Sequence, residues 1–300
     1  MRRRYKVAAG EDAWCPPARR PVSPDGRGLT ARHWVLLETL ALRGVLDTAQ
    51  AAVLMSVSRP SASRYLGVLV RAGLVWRFVY EKDPSHLAHY EASTDGIRLL
   101  KARLERQGRP VPAALGHGPD EFVVNDFFVR LTAHAVRTGA GYLYQWWRAL
   151  EATDWLHRHG VPGTSPHGLG VWVEGDVVVR FLLHLDHQRS GPLIGTPTSP
   201  PSQGVAGYRN AVAGVPASAV LVVTADDGRE RLLHDEVGAA PMPVTVASTT
   251  RSRLYATTSP ADAIWSVATD SSGRLVRLVD VPPRRTRKAG GPSVAAPGAG

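Results

Sequence analysis

Four side chains between positions 59 and 64, Arg59, Ser61, Ser63 and Arg64, are of the kinds that read a DNA duplex. A guanidinium donates two parallel hydrogen bonds to a guanine edge, and a serine hydroxyl serves either a base edge or a phosphate. Such chemistry needs the residues on an exposed face of a helix that fits a major groove. Arg71 lies on or beside the same outer face, while Arg77 and Lys82, with His86 and His89, fall where a short hairpin would meet a backbone or minor groove.

The elements that would carry them are legible in residues 46–77. Thr48 is placed to cap a helix running through Gln50, Ala51, Ala52 and Leu54. Ser58 caps a second helix, in which Pro60 sits early enough that its missing N–H does no harm. Ala62, Leu66, Leu69 and Ala72 recur at helical spacing and face a core, leaving Ser61, Arg64, Tyr65, Val68 and Arg71 on the outer side. Two short helices with this turn describe a helix-turn-helix; a plain helical hairpin is the alternative. Upstream, a supporting helix opens at Thr30, uses Trp34, Val35, Leu36, Leu37 and Leu40 as its apolar face, and stops at Gly44. Downstream, residues 74–80 and 89–92 read as the strands of a wing, and Thr94 caps a helix through Leu104.

Around this module the 300-residue chain divides by composition. Residues 1–28 read as a disordered basic arm, 29–107 as a winged helix-turn-helix, and 108–119 as a linker with Pro and Gly. Residues 120–282 read as a mixed α/β domain. Its expected elements are an amphipathic helix from Glu121, strands at 143–147, 170–174 and 177–186, a buried strand at 217–224, a helix at 230–237, a strand at 244–248, a short helix at 260–268 and a strand at 274–281. Residues 283–300 form a disordered basic tail.

The formal charge of +10 favours a polyanionic partner, although arginine-rich composition accounts for part of it. A single cysteine, Cys15, excludes an internal disulfide and a Cys-based zinc site. No run approaches the roughly 18 apolar residues of a membrane span, and the N-terminus lacks an apolar signal core, so the cytoplasm is the simplest compartment. Neither phosphate-loop glycine motif nor a Gly-x-Ser-x-Gly elbow occurs, and Tyr142 and Tyr144 lack the histidine cluster of a relaxase. Trp146, Trp147, Trp155 and Trp172 read as core aromatics, with base stacking as the alternative. The glycines at 168 and 170 read as turn residues.

The order of features resembles the replication-relaxation family of actinobacterial and plasmid-associated proteins. The likeness rests on LTARHWVLLETLALRGVLDTAQAAVL, on VNDFFVRL at 124–131, on PHGLGVWVEGDVVVRFLLHLD at 166–186, and on GYRN at 207–210. It implies an N-terminal winged helix, a C-terminal domain resembling the PD-(D/E)xK nuclease fold, and a role in replication or relaxation of plasmid or mobile-element DNA. Against that family's pattern, His167 stands in place of an acid, His184 in place of a glutamate, and Gly204 near a lysine position; Asp186 is the acid that remains. Hydrolysis of this type needs two carboxylates for Mg²⁺ and a lysine for the attacking water.

The expected function is therefore DNA binding without nuclease activity. A metal-dependent nuclease and a winged-helix transcriptional regulator are the alternatives. No cofactor is expected; Mg²⁺, or Zn²⁺ on a His-rich set, enters only if His167, His184 and Asp186 form an active site. The expected partner is double-stranded DNA, with room for a homodimer and for replication or transfer proteins of the same element.

Overall fold

The computed structural model describes residues 4–6, 26, 28–80, 87–110, 121–161, 165–186, 217, 219–239 and 242–281. The first unit begins with β1 (Arg4–Lys6), α1 (Ala31–Arg43), β2 (Leu46–Asp47), α2 (Thr48–Leu54) and α3 (Arg59–Arg71). It continues with β3 (Val75–Tyr80), β4 (His89–Ala92) and α4 (Thr94–Arg106). Its strands lie in the order β1-β3-β4-β2. The three helices α1 to α3, followed by an antiparallel β3–β4 hairpin, make a winged helix-turn-helix. Arg4–Lys6, expected within a disordered arm, instead pairs antiparallel with β3, whose free edge offers unpaired backbone groups.

Caps explain where these helices start. Asp47, one residue before the expected Thr48, caps α2: its Oδ1 accepts from the Gln50 backbone N–H, and the Gln50 side-chain oxygen accepts from the Asp47 N–H. Ser93, not Thr94, caps α4 by accepting from the Gly96 N–H. Of two adjacent candidates, the one whose oxygen reaches the N–H three residues on wins. Asp47→Ala is expected to lower the stability of the winged unit by about 1 kcal/mol, read as a shifted urea midpoint.

A single core fills this unit, with Leu36, Leu37 and Leu40 of α1, Ala51 of α2, Ala62, Leu66 and Leu69 of α3 and Leu100 and Leu104 of α4. Val35, expected on the apolar face, is exposed, because the core lies along the Trp34–Leu37–Ala41 side of α1.

The second unit contains α5 (Glu121–Thr138), β5 (Tyr142–Arg148), α6 (Ala149–Arg158), β6 (Gly168–Glu174), β7 (Val177–Leu185) and β8 (Ala219–Thr224). Then come α7 (Asp227–Ala239), β9 (Thr245–Thr250), α8 (Arg251–Ala256), β10 (Trp265–Val267) and β11 (Leu275–Val276). One seven-stranded sheet runs in the order β11-β10-β9-β8-β7-β6-β5. Strands β5 to β7 form an antiparallel meander, β7 to β9 are parallel, and β9 to β11 return to antiparallel pairing.

The period of two sorts each strand between the faces. Phe181, Leu183 and Leu185 of β7 and Leu221 and Val223 of β8 pack with Phe127, Phe128 and Leu131 of α5. Leu182, Val220 and Val222 pack on the other side, with Trp155 and Leu156 of α6 and Leu233 and Val237 of α7. This is a mixed α/β sandwich with helices on both faces.

Three expectations fail here. Residues 260–268 form turns and β10 rather than a helix; Ile264, Trp265 and Val267 are a short apolar run whose period does not separate helix from strand. The buried Trp265 ring donates Nε1–H to the Pro260 carbonyl and fixes that turn. Within residues 274–281 the strand covers Leu275–Val276 alone, and a 3-10 turn at Leu278–Asp280 drops Leu278 into the core. Gly168 and Gly170 belong to strand β6, which begins two residues before the expected 170, so neither is the turn glycine also expected. A Cβ at Gly170 would meet Phe181 at 2.3 Å and Phe128 at 2.7 Å, so the bare backbone is what lets two phenyl rings lie on the strand.

Candidate nucleic-acid interface

Helix α3 spends three positions on the core, Ala62, Leu66 and Leu69, all buried. At about 100° per residue these define one side, and Pro60, Arg64, Gly67 and Arg71 define the side opposite. Ser63 flanks that outer stripe on one edge and Ser61 on the other, while Arg59, the first residue of the helix, lies nearer the core side. Arg59, Ser63, Arg64 and Arg71 are exposed, and Ser61 is half-buried. Arg64 and Arg71 stand seven residues apart, roughly 10 Å along the axis, with small Gly67 between them to allow close approach.

The N-terminal end of α3 is organised by hydrogen bonds. Ser58 accepts from the Ser61 N–H at 3.4 Å and donates its hydroxyl to Ser61 Oγ at 3.0 Å. Arg64 Nη2 donates to Ser61 Oγ at 3.0 Å. A capped helix N-terminus and a tethered guanidinium thus lie together, both suited to phosphate or a base edge.

On the wing, Arg77 of β3 is exposed, with Trp76 beside it. Lys82 and His86 lie outside the described residues. His89, expected to be available to DNA, is buried: it stacks on Phe78 at 5.9 Å and meets Phe122 of α5 edge-on at 4.7 Å.

The second set of candidates has a different fate. Asp186, at the end of β7, is 3% exposed and faces Arg229, itself 7% exposed, on the first turn of α7. Arg229 Nε donates to Asp186 Oδ2 at 2.8 Å and Nη2 to Oδ1 at 3.1 Å, a two-point pair. Arg251 adds a bond from Nη2 to the Asp186 carbonyl at 3.1 Å. Donating to Asp186 holds the Arg229 guanidinium pKa above its usual value, against the effect of burial.

His167 and His184 do meet, ring to ring at 5.1 Å and 73°. His167 Nδ1 accepts the Leu185 N–H at 3.1 Å, so that lone pair is already used. A divalent cation would here face a carboxylate already held at both oxygens by Arg229, a second arginine on the same residue's backbone carbonyl, and a histidine whose Nδ1 is bonded to the backbone. These residues do not fit the metal site of a nuclease. Among the described residues no group of three or more His, Cys, Asp or Glu side chains is arranged to hold a metal.

Beside this lies a network that the sequence did not announce. Arg253 holds Glu230 through two bonds of 3.0 Å, Ser248 Oγ donates to Glu230 Oε1 at 2.8 Å, and His234 Nε2 lies 2.8 Å from Ser248 Oγ. A serine that gives its proton to a carboxylate must accept from the histidine. The imidazole is therefore a donor to Ser248, the reverse of what nucleophile activation needs.

Burial lowers the His234 pKa, with Glu230 and Asp235 opposing. Neutral His234 is favoured in the folded state, so its contribution is present above the unfolded value of about 6.5 and is lost as pH falls below it. Thermal midpoints measured from pH 7 to pH 5 are expected to fall, and less steeply in His234→Gln.

Base stacking by the tryptophans is overturned as well: Trp146, Trp155 and Trp172 are buried, and Trp147 is half-buried against the core. Among the described residues no helix is long and apolar enough to cross a membrane.

The chain matches no protein-family model, and no curated protein matches it at a significant level. Part of it is similar to solved structures. One is a MarR family transcription regulator, at 24% identity and a TM-score of 0.25 over 27% of this chain and 54% of that one. Another is NadR in complex with 4-hydroxyphenylacetate, at 25% identity and 0.24 over 27% and 58%. A third is the multiple antibiotic resistance repressor MarR, at 20% identity and 0.25 over 27% and 59%. The chain thus spans a little over half the length of each.

Proposed function

We propose that this chain is a double-stranded DNA-binding protein that inserts α3 into the major groove and lays its wing against the backbone. The observation that carries the reading is the outer stripe of α3. Arg64 and Arg71 are exposed on it and Ser63 beside it, Arg59 is exposed at the helix start, and the Ser58–Ser61–Arg64 string orders the end that would enter first. The +10 net charge supports the same partner. Replication or relaxation of plasmid or mobile-element DNA is the proposed setting, and it rests on the sequence resemblance alone. DNA binding is the activity in this reading, and the Arg229 clamp on Asp186 is the reason no hydrolytic step is assigned.

Footprinting of the full chain on the DNA flanking its gene, with and without Mg²⁺ or Zn²⁺, tests this. Protection without strand cleavage in every arm is the expected result. Metal-dependent cleavage would overturn the non-hydrolytic reading, and absence of protection on any duplex would overturn DNA binding. A palindromic footprint confined to the chain's own promoter would move the setting from replication to transcriptional regulation.

A further inference from the structure

The junction between the two units is polar and buried, which is costly unless its groups are hydrogen-bonded; Asn125 spends its donors there, while its buried Oδ1 meets no donor among the described residues. Asn125, one turn into α5, is fully buried, and its amide nitrogen donates to two carbonyls of the winged unit: Arg43 at 2.7 Å and Val45 at 2.8 Å. The Arg43 carbonyl is among the last of α1, one of the groups a helix end leaves without a partner. Both Nδ2 protons are thereby used, and the two carbonyls fix which way round the amide sits.

The return contact comes from the same residue of α1. Arg43 Nη1 donates to the Trp146 carbonyl of β5 at 2.9 Å, and its guanidinium lies 4.0 Å from the Trp146 ring centre. Burial pulls the Arg43 pKa down to about 10, with Glu151 opposing, so it stays charged at neutral pH. Around this clasp, Val53 and Leu54 of α2 pack against the core of the second unit, and His89 of the wing meets Phe122. The helix before the recognition helix and the wing after it are therefore both seated on α5.

We infer that the second unit is a positioning scaffold for the helix-turn-helix, and that Asn125 and Arg43 set the orientation in which α3 and the wing meet DNA together. This rests on the DNA-binding reading and adds that affinity depends on residues that never touch the duplex. Asn125 and Arg43 are positioning residues: they hold the end of α1 on α5 and β5, beside the places where α2 and the wing also meet the second unit.

The test uses the full chain as wild type, Asn125→Asp, which cannot donate, and Arg43→Met, which keeps the stem on Trp146 but loses the donor. Calorimetry and DNA affinity as a function of salt are both measured. The wild type is expected to unfold in one transition that saturating duplex DNA raises as a whole. Asn125→Asp is expected to unfold in two, with DNA raising one of them, and to bind roughly tenfold more weakly with an unchanged salt slope. Arg43→Met is expected to shift both readouts in the same direction by less.

Unaltered affinity and a single transition in both variants would overturn the inference. So would a salt slope lowered by about one, which marks a lost phosphate contact instead. If the wild type binds no duplex, the DNA-binding reading falls and this inference with it. Wild-type binding that Asn125→Asp leaves intact defeats the inference alone.

Discussion

Asp186→Ala is expected to destabilise the chain by about 3–5 kcal/mol, the largest single effect in the second unit, because it strands a buried guanidinium. Arg229 is 7% exposed and gives two of its donors to that carboxylate. Arg251, which reaches the Asp186 carbonyl from the start of α8, brings a second positive charge to the gap. A double replacement, Asp186→Leu with Arg229→Met, removes both charges and is expected to recover most of the loss. Urea unfolding in the presence of a chelator separates this structural role from metal binding. A metal ligand would show its largest effect only when Mg²⁺ or Zn²⁺ is added; a clamp shows the full loss without either.

Arg64→Ala is expected to cost about 1–3 kcal/mol of binding to a cognate duplex and much less on random DNA. Arg64 lies opposite Ala62, Leu66 and Leu69, and its guanidinium is tethered to Ser61 at the leading end of α3, where base edges are met. Arg77→Ala, on β3, and Lys82→Ala are expected to weaken cognate and random duplexes alike and to lower the salt slope by about one each. Titrations of the three variants on both duplexes, at several salt concentrations, separate base reading from phosphate contact. Equal losses on the two duplexes for Arg64→Ala would remove it from the base-reading set.

Helix α3 was legible because its information is local. Ser58, Pro60 and the 62-66-69 spacing are each short-range signals, and they agree on one helix and one face. Strand β8 was legible for a similar reason, since a continuous apolar run marks a strand covered on both sides, and β7 was legible from the Gly175-Asp176 turn that joins it to β6. The Asp186–Arg229 clamp was not, because its partners lie 43 residues apart and meet only when the end of β7 and the first turn of α7 come together. A surviving acid in a strand looks the same in sequence whether it waits for a metal or already holds an arginine.

Asn125 left a fainter signal. It is a polar residue inside the run VVNDFFV, between buried Val124 and buried Phe127 and Phe128, and a polar side chain on such a face needs a partner. Which partner was invisible, since the acceptors are the carbonyls of Arg43 and Val45, about eighty residues upstream. Arg43 itself reads as an ordinary basic residue near a helix C-terminus. His89 misled for the opposite reason. In sequence it is one more basic group on a hairpin, and in the fold it is a stacking platform between the wing and α5.

The central claim, that the outer stripe of α3 is a DNA-binding surface, is tested most directly by fluorescence anisotropy of the full chain on duplex DNA across a salt series. The wild type is compared with the Arg59→Ala, Arg64→Ala double variant. A steep fall of log affinity with log salt in the wild type, and a loss of cognate preference in the double variant, is the predicted result. Affinity independent of salt, or a double variant that binds the cognate duplex as the wild type does, would contradict it.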